Sequence, residues 1–366
     1  MLRFLTLIFL FPLVLGLAQD QAAALQHHLI DKNLDSGRRW GVAATEMGMP
    51  YVLPNGDIGY LFGDTMSSIR VQDAQDLRSP VMLRSGIHPR EEGGIRFESA
   101  AGVVGDGLAP GLFYNGLQGD DGTDTGIWEF TVLPNDGISF PETGEHIVSY
   151  VSIMNWTDPA TSNYAGLAYS LDGDNFVRLD VKWHNNDDNT DPFQRWTMQR
   201  DGDWVYVFSI RSVTQYGPMM LQRVPWDRIT DKDAFEGWGW NGEDWGWGRP
   251  CSPILSGDFG MHSVRKLQDG TWAMVYSNAS ASAPQIVSRS AKSPTGPWSD
   301  ETMQVMQQGD GSLLYSGFIH PWSSTEKDGL FLLVTNWTST GDQARTTGAA
   351  ANLQGFVSVS QYAGTL

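Results

Sequence analysis

Two carboxylates stand eighteen positions apart, Glu46 in ATEMGMPYV and Asp64 in GYLFGDT. In the second stretch Tyr60-Leu61-Phe62-Gly63 reads as a strand entering a core, yet it ends on a charge whose burial is costly. Catalysis is one reason to place a charge there. Glycoside hydrolysis uses two carboxyl groups in one cleft. One donates a proton to the leaving oxygen, and the other activates water or attacks the anomeric carbon. Their environments must push their pKa values apart. Taken alone, Asp64 is equally well a turn cap after a strand. The pairing with Glu46 favours chemistry. We cast Asp64 as general acid and Glu46 as general base, an order the residues themselves leave open.

Other side chains extend such a site. The Thr65 hydroxyl can serve the carboxylate or a sugar. Arg195 (or Gln194 beside it), His262 and His320 stand where later strands are expected to start, and Trp322 can stack on a sugar ring. Each has a plainer reading as a satisfied polar or packed residue. His262 and His320 could also hold a metal on an axis. The chain has no HExxH and no dense cluster of His and Cys, so zinc catalysis is not expected and no cofactor is called for. HNNDDNTD, residues 184–191, lacks the Gly and terminal Glu of a calcium loop and reads as a solvated loop. EGWGWNGEDWGWGRP, residues 236–250, sits in a connector, so its tryptophans read as packing before sugar stacking.

The elements that must position these residues show in a recurring pattern. PNGDIGYLFGDT, TGEHIVSYVSIMNW, RDGDWVYVFSIRS, QDGTWAMVYSNAS and KDGLFLLVTNWTS each set a glycine turn before an apolar strand. The glycines are Gly56, Gly144, Gly202, Gly270 and Gly329. Asn-Gly and Asp-Gly favour tight hairpins. Repetition at this spacing means one supersecondary unit used five times, with room for about four short strands in each. The expected fold is all-β, a five-bladed propeller, with a β-sandwich as the alternative. Helix is expected only over residues 224–238, and there it should be short. The strand before each turn should be innermost, its start facing one funnel. A hairpin then brings Asp64 back to the end where Glu46 begins.

The first eighteen residues, one Arg followed by an apolar run closing on Gly16-Leu17-Ala18, have the layout of a secretory signal peptide. Residues 19–366 then form a single propeller domain. A single cysteine, Cys251, excludes an intrachain disulfide and reads as a small buried residue. The net charge of −18 argues against nucleic acid and anionic membranes as partners. It suits a secreted monomer acting on a neutral polysaccharide. Sequons at Asn155, Asn278 and Asn336 would carry glycans in a eukaryotic secretory pathway.

On the order and spacing of several motifs, the chain resembles the propeller endo-D-arabinanases, long catalogued as a domain of unknown function. The motifs are TEMG with YLFGDT, NYAGLAYSLDGDNF, WVYVFSIRS with LQRVPWDRI, SVRKLQDGTWAMVYS, SAKSPTGPWS and YSGFIHPWSS. The resemblance covers nearly the whole mature chain. It implies internal, inverting cleavage of α-D-arabinofuranosyl chains such as those of arabinogalactan and lipoarabinomannan, by two first-blade acids that match Glu46 and Asp64. The chain departs from the family pattern where Glu46 replaces an Asp and where Met261 replaces an acidic residue of the fourth blade. Two other functions fit the same pattern: an exo-acting arabinofuranosidase and a non-catalytic carbohydrate-binding propeller. Binding propellers tend to repeat one set of residues in every blade, whereas the axis residues here differ from blade to blade.

Overall fold

The computed structural model describes residues 22–68, 76–113, 129–155, 160–212, 216–278, 281, 284–307, 312–339 and 355–366. Residues 1–18, expected to be a signal segment, lie outside these. The described chain is nearly all β, with one short helix, α1 (Asp35–Trp40). Its strands are β1 (Ala24–His28), β2 (Ala44–Val52), β3 (Ile58–Met66), β4 (Val81–Ser85), β5 (Ser99–Ala100), β6 (Thr131–Phe140) and β7 (Glu145–Asn155). They continue as β8 (Thr161–Ser170), β9 (Val177–His184), β10 (Arg195–Asp201), β11 (Trp204–Ile210), β12 (Gly217–Pro225), β13 (Glu236–Trp240) and β14 (Trp245–Trp247). The last are β15 (Leu255–Lys266), β16 (Trp272–Asn278), β17 (Gln285–Ala291), β18 (Thr302–Met306), β19 (Ser312–Ile319), β20 (Leu330–Ser339) and β21 (Gly355–Gly364).

Strands β2 to β5 form one antiparallel sheet and β6 to β9 another. A third joins the two ends of the described chain, in the order β1-β21-β20-β19. Strands β10 to β12 and β15 to β18 share a longer path, but their junction rests on Gly217↔Phe259 and Met219↔Leu255 alone. The leading strands β2, β6, β10, β15 and β19 each touch the next, and β19 touches β2. These five strands therefore close a ring.

All five turn glycines fall between a leading strand and its hairpin partner. Gly56, Gly144, Gly202 and Gly270 adopt left-handed φ values of 90°, 78°, 61° and 88°, which a side chain would strain. The fifth turn differs. A loop over residues 320–329 replaces the tight hairpin, and Asp328, not Gly329, takes the left-handed conformation with φ 54°. The helix expected over 224–238 is instead two 3-10 turns, Trp226–Arg228 and Lys232–Ala234.

Across the ring an ion pair ties the leading strands together. Arg265 on β15 donates to both Asp136 carboxylate oxygens on β6, at 2.8 Å each, and to Pro50 O on β2, also at 2.8 Å. Asp136 Oδ2 also accepts from Thr197 Oγ1 and Met198 N on β10. The β19 backbone joins through Ile319 N to Ser263 Oγ at 3.1 Å. Pro50 lies four residues beyond Glu46 on β2, so this knot sits deeper in the ring than the carboxylate.

The tryptophan-rich segment forms a β13–β14 hairpin attached to β12. Trp238 and Trp247 pack inward, while Trp240 and Trp245 are exposed. Packing thus accounts for half of the four. Residues 184–191 are organised by their own side chains, with Asn186 Oδ1 accepting from the amides of Thr190 and Asp191.

Candidate active site

Glu46 and Asp64 face each other across an irregular hairpin. Register runs Thr45↔Thr65, then Met47↔Phe62, so Gly63 and Asp64 together oppose Glu46 in a β-bulge. A second shift follows between Met47 and Met49, where Met47 and Gly48 take φ values of 72° and 96°. A left-handed Met is strained and persists only where its surroundings hold it. Thr335 Oγ1 donates to Met47 O at 3.0 Å and contributes to that hold. Bulges of this kind re-aim side chains beside functional sites. The small residue before Asp64 also has a use. A Cβ on Gly63 would lie 2.8 Å from Glu46 Oε1, so glycine makes room for the carboxyl group.

The two carboxyl groups differ in surroundings. Asp64 Oδ1 accepts from Thr131 Oγ1 at 2.6 Å. Burial raises the Asp64 pKa to about 6, against the lowering effect of Thr131 and Ser79. Glu46 Oε1 is screened from solvent and has no hydrogen-bond partner. Burial first, and the neighbouring Asp64 charge second, raise the Glu46 pKa to about 8, while Arg195 and the Asp64 amide oppose the rise. Over this range one carboxyl holds its proton and the other is ionised. Glu46 is the more strongly raised of the two, opposite to the expectation that Asp64 holds the proton.

Arg195 opens β10 and reaches the Glu46 side of the ring. Its Nη2 donates to Met261 Sδ on β15, and its Nη1 is buried without a partner. Gln194 is not the axis residue. Its amide is engaged by Ser162, Trp183 and Asp191. His262 is buried beside Arg195, with Nε2 donating to Phe208 O at 3.0 Å.

Three expected site residues are placed elsewhere or turned away. Thr65 is fully buried, its hydroxyl shared with Thr45 Oγ1 at 2.6 Å and Gly63 O at 2.8 Å. His320 follows the last residue of β19, so it and Trp322 lie at the end of the ring opposite the carboxylates. The His320 ring is saturated there, bonded to Tyr60 Oη at 2.8 Å and accepting from Trp322 N. Trp322 stacks on His88 with rings 2° from parallel. Two residues absent from the expected site lie beside the carboxyl groups. Thr131 starts β6, and Tyr315 starts the inner part of β19 within electrostatic reach of Glu46, Asp64 and Arg195. Tyr315 stood in the YSGFIHPWSS motif, but its strand was counted from the wrong end of the long fifth loop.

Of the sequon asparagines, Asn155 and Asn278 end β7 and β16, and the rest of each sequon lies outside the described residues. Asn336 lies in β20 between β19 and β21. Cys251 is half-buried, and burial pushes its thiol up to about 11, which suits an inert cysteine.

His146, His262 and His320 are buried, and burial lowers their pKa values to about 4, 4 and 3. A lowered histidine pKa means that the unfolded chain takes up protons the folded one refuses. The stability these groups lend is complete above about pH 6.5 and is lost as pH falls toward 4. At its limit that loss is roughly 3 kcal/mol for His262 and roughly 5 kcal/mol for His320. His320→Gln is therefore expected to lose less of its urea midpoint than the wild type between pH 7 and pH 5, and parallel losses would contradict neutral burial of His320.

The described chain is thus an all-β ring of antiparallel sheets with two unlike carboxyl groups beside a buried arginine. The chain belongs to the DUF4185 family, a domain of unknown function, which it matches over residues 33–341. It is 70% identical to notoamide biosynthesis cluster protein J of Aspergillus sp. (strain MF297-2), over 95% of this chain and 94% of that protein. It is 68% identical to notoamide biosynthesis cluster protein J' of Aspergillus versicolor, over 100% of this chain and 98% of that protein. Neither relative is described as an arabinanase. Among solved structures, the fold is similar to an N-acetylgalactosamine deacetylase from F. plautii, with TM-score 0.53 and 9% identity over 94% of this chain and 96% of that one. It is also similar to the exo-β-1,3-galactanase 1,3Gal43A of Clostridium thermocellum, with TM-score 0.51 and 12% identity over 93% of this chain and 62% of that one. At these identities the likeness is one of fold.

Proposed function

We propose that the protein is a glycoside hydrolase on a five-bladed propeller, with Glu46 as general acid and Asp64 as general base. The ring of five leading strands supports the blade count, since each of them opens a multi-stranded antiparallel unit. The observation that carries the chemistry is the pair of carboxyl groups on one bulged hairpin, their pKa values driven apart to about 8 and about 6. In the inverting reaction Asp64 takes a proton from water as the water oxygen bonds to the anomeric carbon. The bond to the leaving oxygen breaks, and that oxygen takes the Glu46 proton. Solvent exchange then restores both groups.

The first substrate to test is the α-D-arabinofuranosyl chain, cleaved internally and outside the cell. The names of the two Aspergillus relatives favour a second, a small glycoside handled within a biosynthetic cluster. The test is to incubate the protein with D-arabinan, with L-arabinan and with a panel of small aryl glycosides, and to follow products by length. Internal oligosaccharides would support endo action on an arabinan, and single sugars alone would support exo action. Cleavage confined to aryl glycosides would favour the small substrate. Binding without cleavage of any would replace hydrolysis with a carbohydrate-binding role.

A further inference from the structure

We infer that Arg195 binds a carboxylate carried by the substrate, so that the site takes an acidic glycoside. The inference rests on the acid–base reading above for the bond that is cut, and it departs from a neutral furanose chain as the molecule bound. Arg195 is 3% exposed. Its Nη2 meets only the Met261 sulfur, a weak acceptor, and its Nη1 has no partner. Among the described residues no carboxylate stands within ion-pair distance of it. The contrast with other arginines is sharp: Arg178 holds Glu129, Arg223 holds Glu236, Arg265 holds Asp136 and Arg289 holds Glu301.

The neighbouring acids do not fill the gap. Asp64 is engaged by Thr131, and Glu46 keeps its proton over most of the neutral range. A buried guanidinium without an anion is the costly half of an ion pair. A buried polar group left unmatched calls for an explanation, and a ligand group supplies one. A single negative charge fits better than a dianion, because only Nη1 is free and the Asp64 carboxylate lies nearby. Met261, unbranched and flexible, meets the guanidinium at Nη2 and is a contact a ligand could displace.

The test uses calorimetric titration and thermal melts of the full chain with D-glucuronate, D-glucose and inorganic phosphate as probes. D-glucuronate is expected to bind saturably and raise the melting temperature, and D-glucose and phosphate are not. Arg195→Met should weaken D-glucuronate binding by about 10- to 100-fold, the range for one lost charge-assisted hydrogen bond. Met261→Glu, which offers Arg195 an internal carboxylate, should weaken binding similarly and raise the melting temperature of the free protein. Glu46→Gln should still bind. Equal responses to D-glucuronate and D-glucose, protection by phosphate, or undiminished binding in both Arg195→Met and Met261→Glu would overturn the inference. D-glucuronate binding through Arg195 in a protein that cleaves no glycoside would uphold it and remove the hydrolase reading instead.

Discussion

Glu46→Gln is expected to lower glycoside turnover by about 10²–10⁴-fold with little change in the fold, because it removes the proposed proton donor and keeps its shape. Asp64→Asn should cost a similar factor through loss of the base. The wild-type rate should follow a bell-shaped pH profile. Its acid limb reflects ionisation of Asp64 near pH 6, and its alkaline limb reflects loss of the Glu46 proton near pH 8. Stability gives an independent check. Glu46 has a raised folded pKa, so it lends stability that is complete below about pH 4.5 and lost as pH rises through 8. The Gln variant lacks that loss. Its urea midpoint should therefore gain on the wild type as pH rises from 5 to 8. Parallel midpoints, or a normal rate in either variant, would place the chemistry elsewhere.

Arg265→Met is expected to destabilise the protein by about 3–5 kcal/mol, the range for breaking one partner out of a buried ion pair. The Arg265 and Asp136 side chains are only 7% and 2% exposed, so neither charge has water to fall back on. The loss also strips a donor from Pro50 O, on a third leading strand. The pair is therefore a joint between units as well as a local contact. Replacing both members, as Arg265→Met with Asp136→Met, should recover much of the loss, because no lone charge remains. Urea unfolding of the single and double variants decides this. A single variant as stable as wild type would mean that packing alone joins the ring.

How far the sequence could be read depended on which signals are local. The turn glycines are local. A glycine that can take a left-handed φ favours a tight turn from its own neighbours alone; four of the five turns are closed that way, and all five sit at equivalent junctions. The Glu46 and Asp64 pairing followed from hairpin return, which needs only a strand, a turn and a strand. The bulge that aims them was not legible, although Met47-Gly48 and Gly63 were its traces. His320 was misplaced because counting back from Gly329 assumed a tight turn, and the loop over residues 320–329 shifts the count by most of a strand. That error hid Tyr315. Thr65 looked available because a hydroxyl beside a carboxylate is a common ligand. Its partner, Thr45, lies across the hairpin, and only the register shows the bond. The difference between the two carboxyl groups depends on burial and on the Thr131 hydroxyl from another sheet, neither of which a linear pattern carries.

The departures of Glu46 and Met261 from the arabinanase-like pattern now have a common setting. Both side chains contact or influence Arg195. An acid at position 261 would give that arginine a partner, and the methionine leaves its Nη1 unmatched. The two residues that distinguish this chain from the resemblance thus lie where substrate identity would be decided.

The proposed mechanism requires the two carboxyl groups to be in different protonation states at neutral pH. Carboxyl-carbon NMR titration of protein labelled at glutamate and aspartate measures this without a substrate. The account predicts one glutamate titrating near pH 8 that is absent from Glu46→Gln, and one aspartate near pH 6 that is absent from Asp64→Asn. Ordinary carboxylate titration at both positions would contradict it.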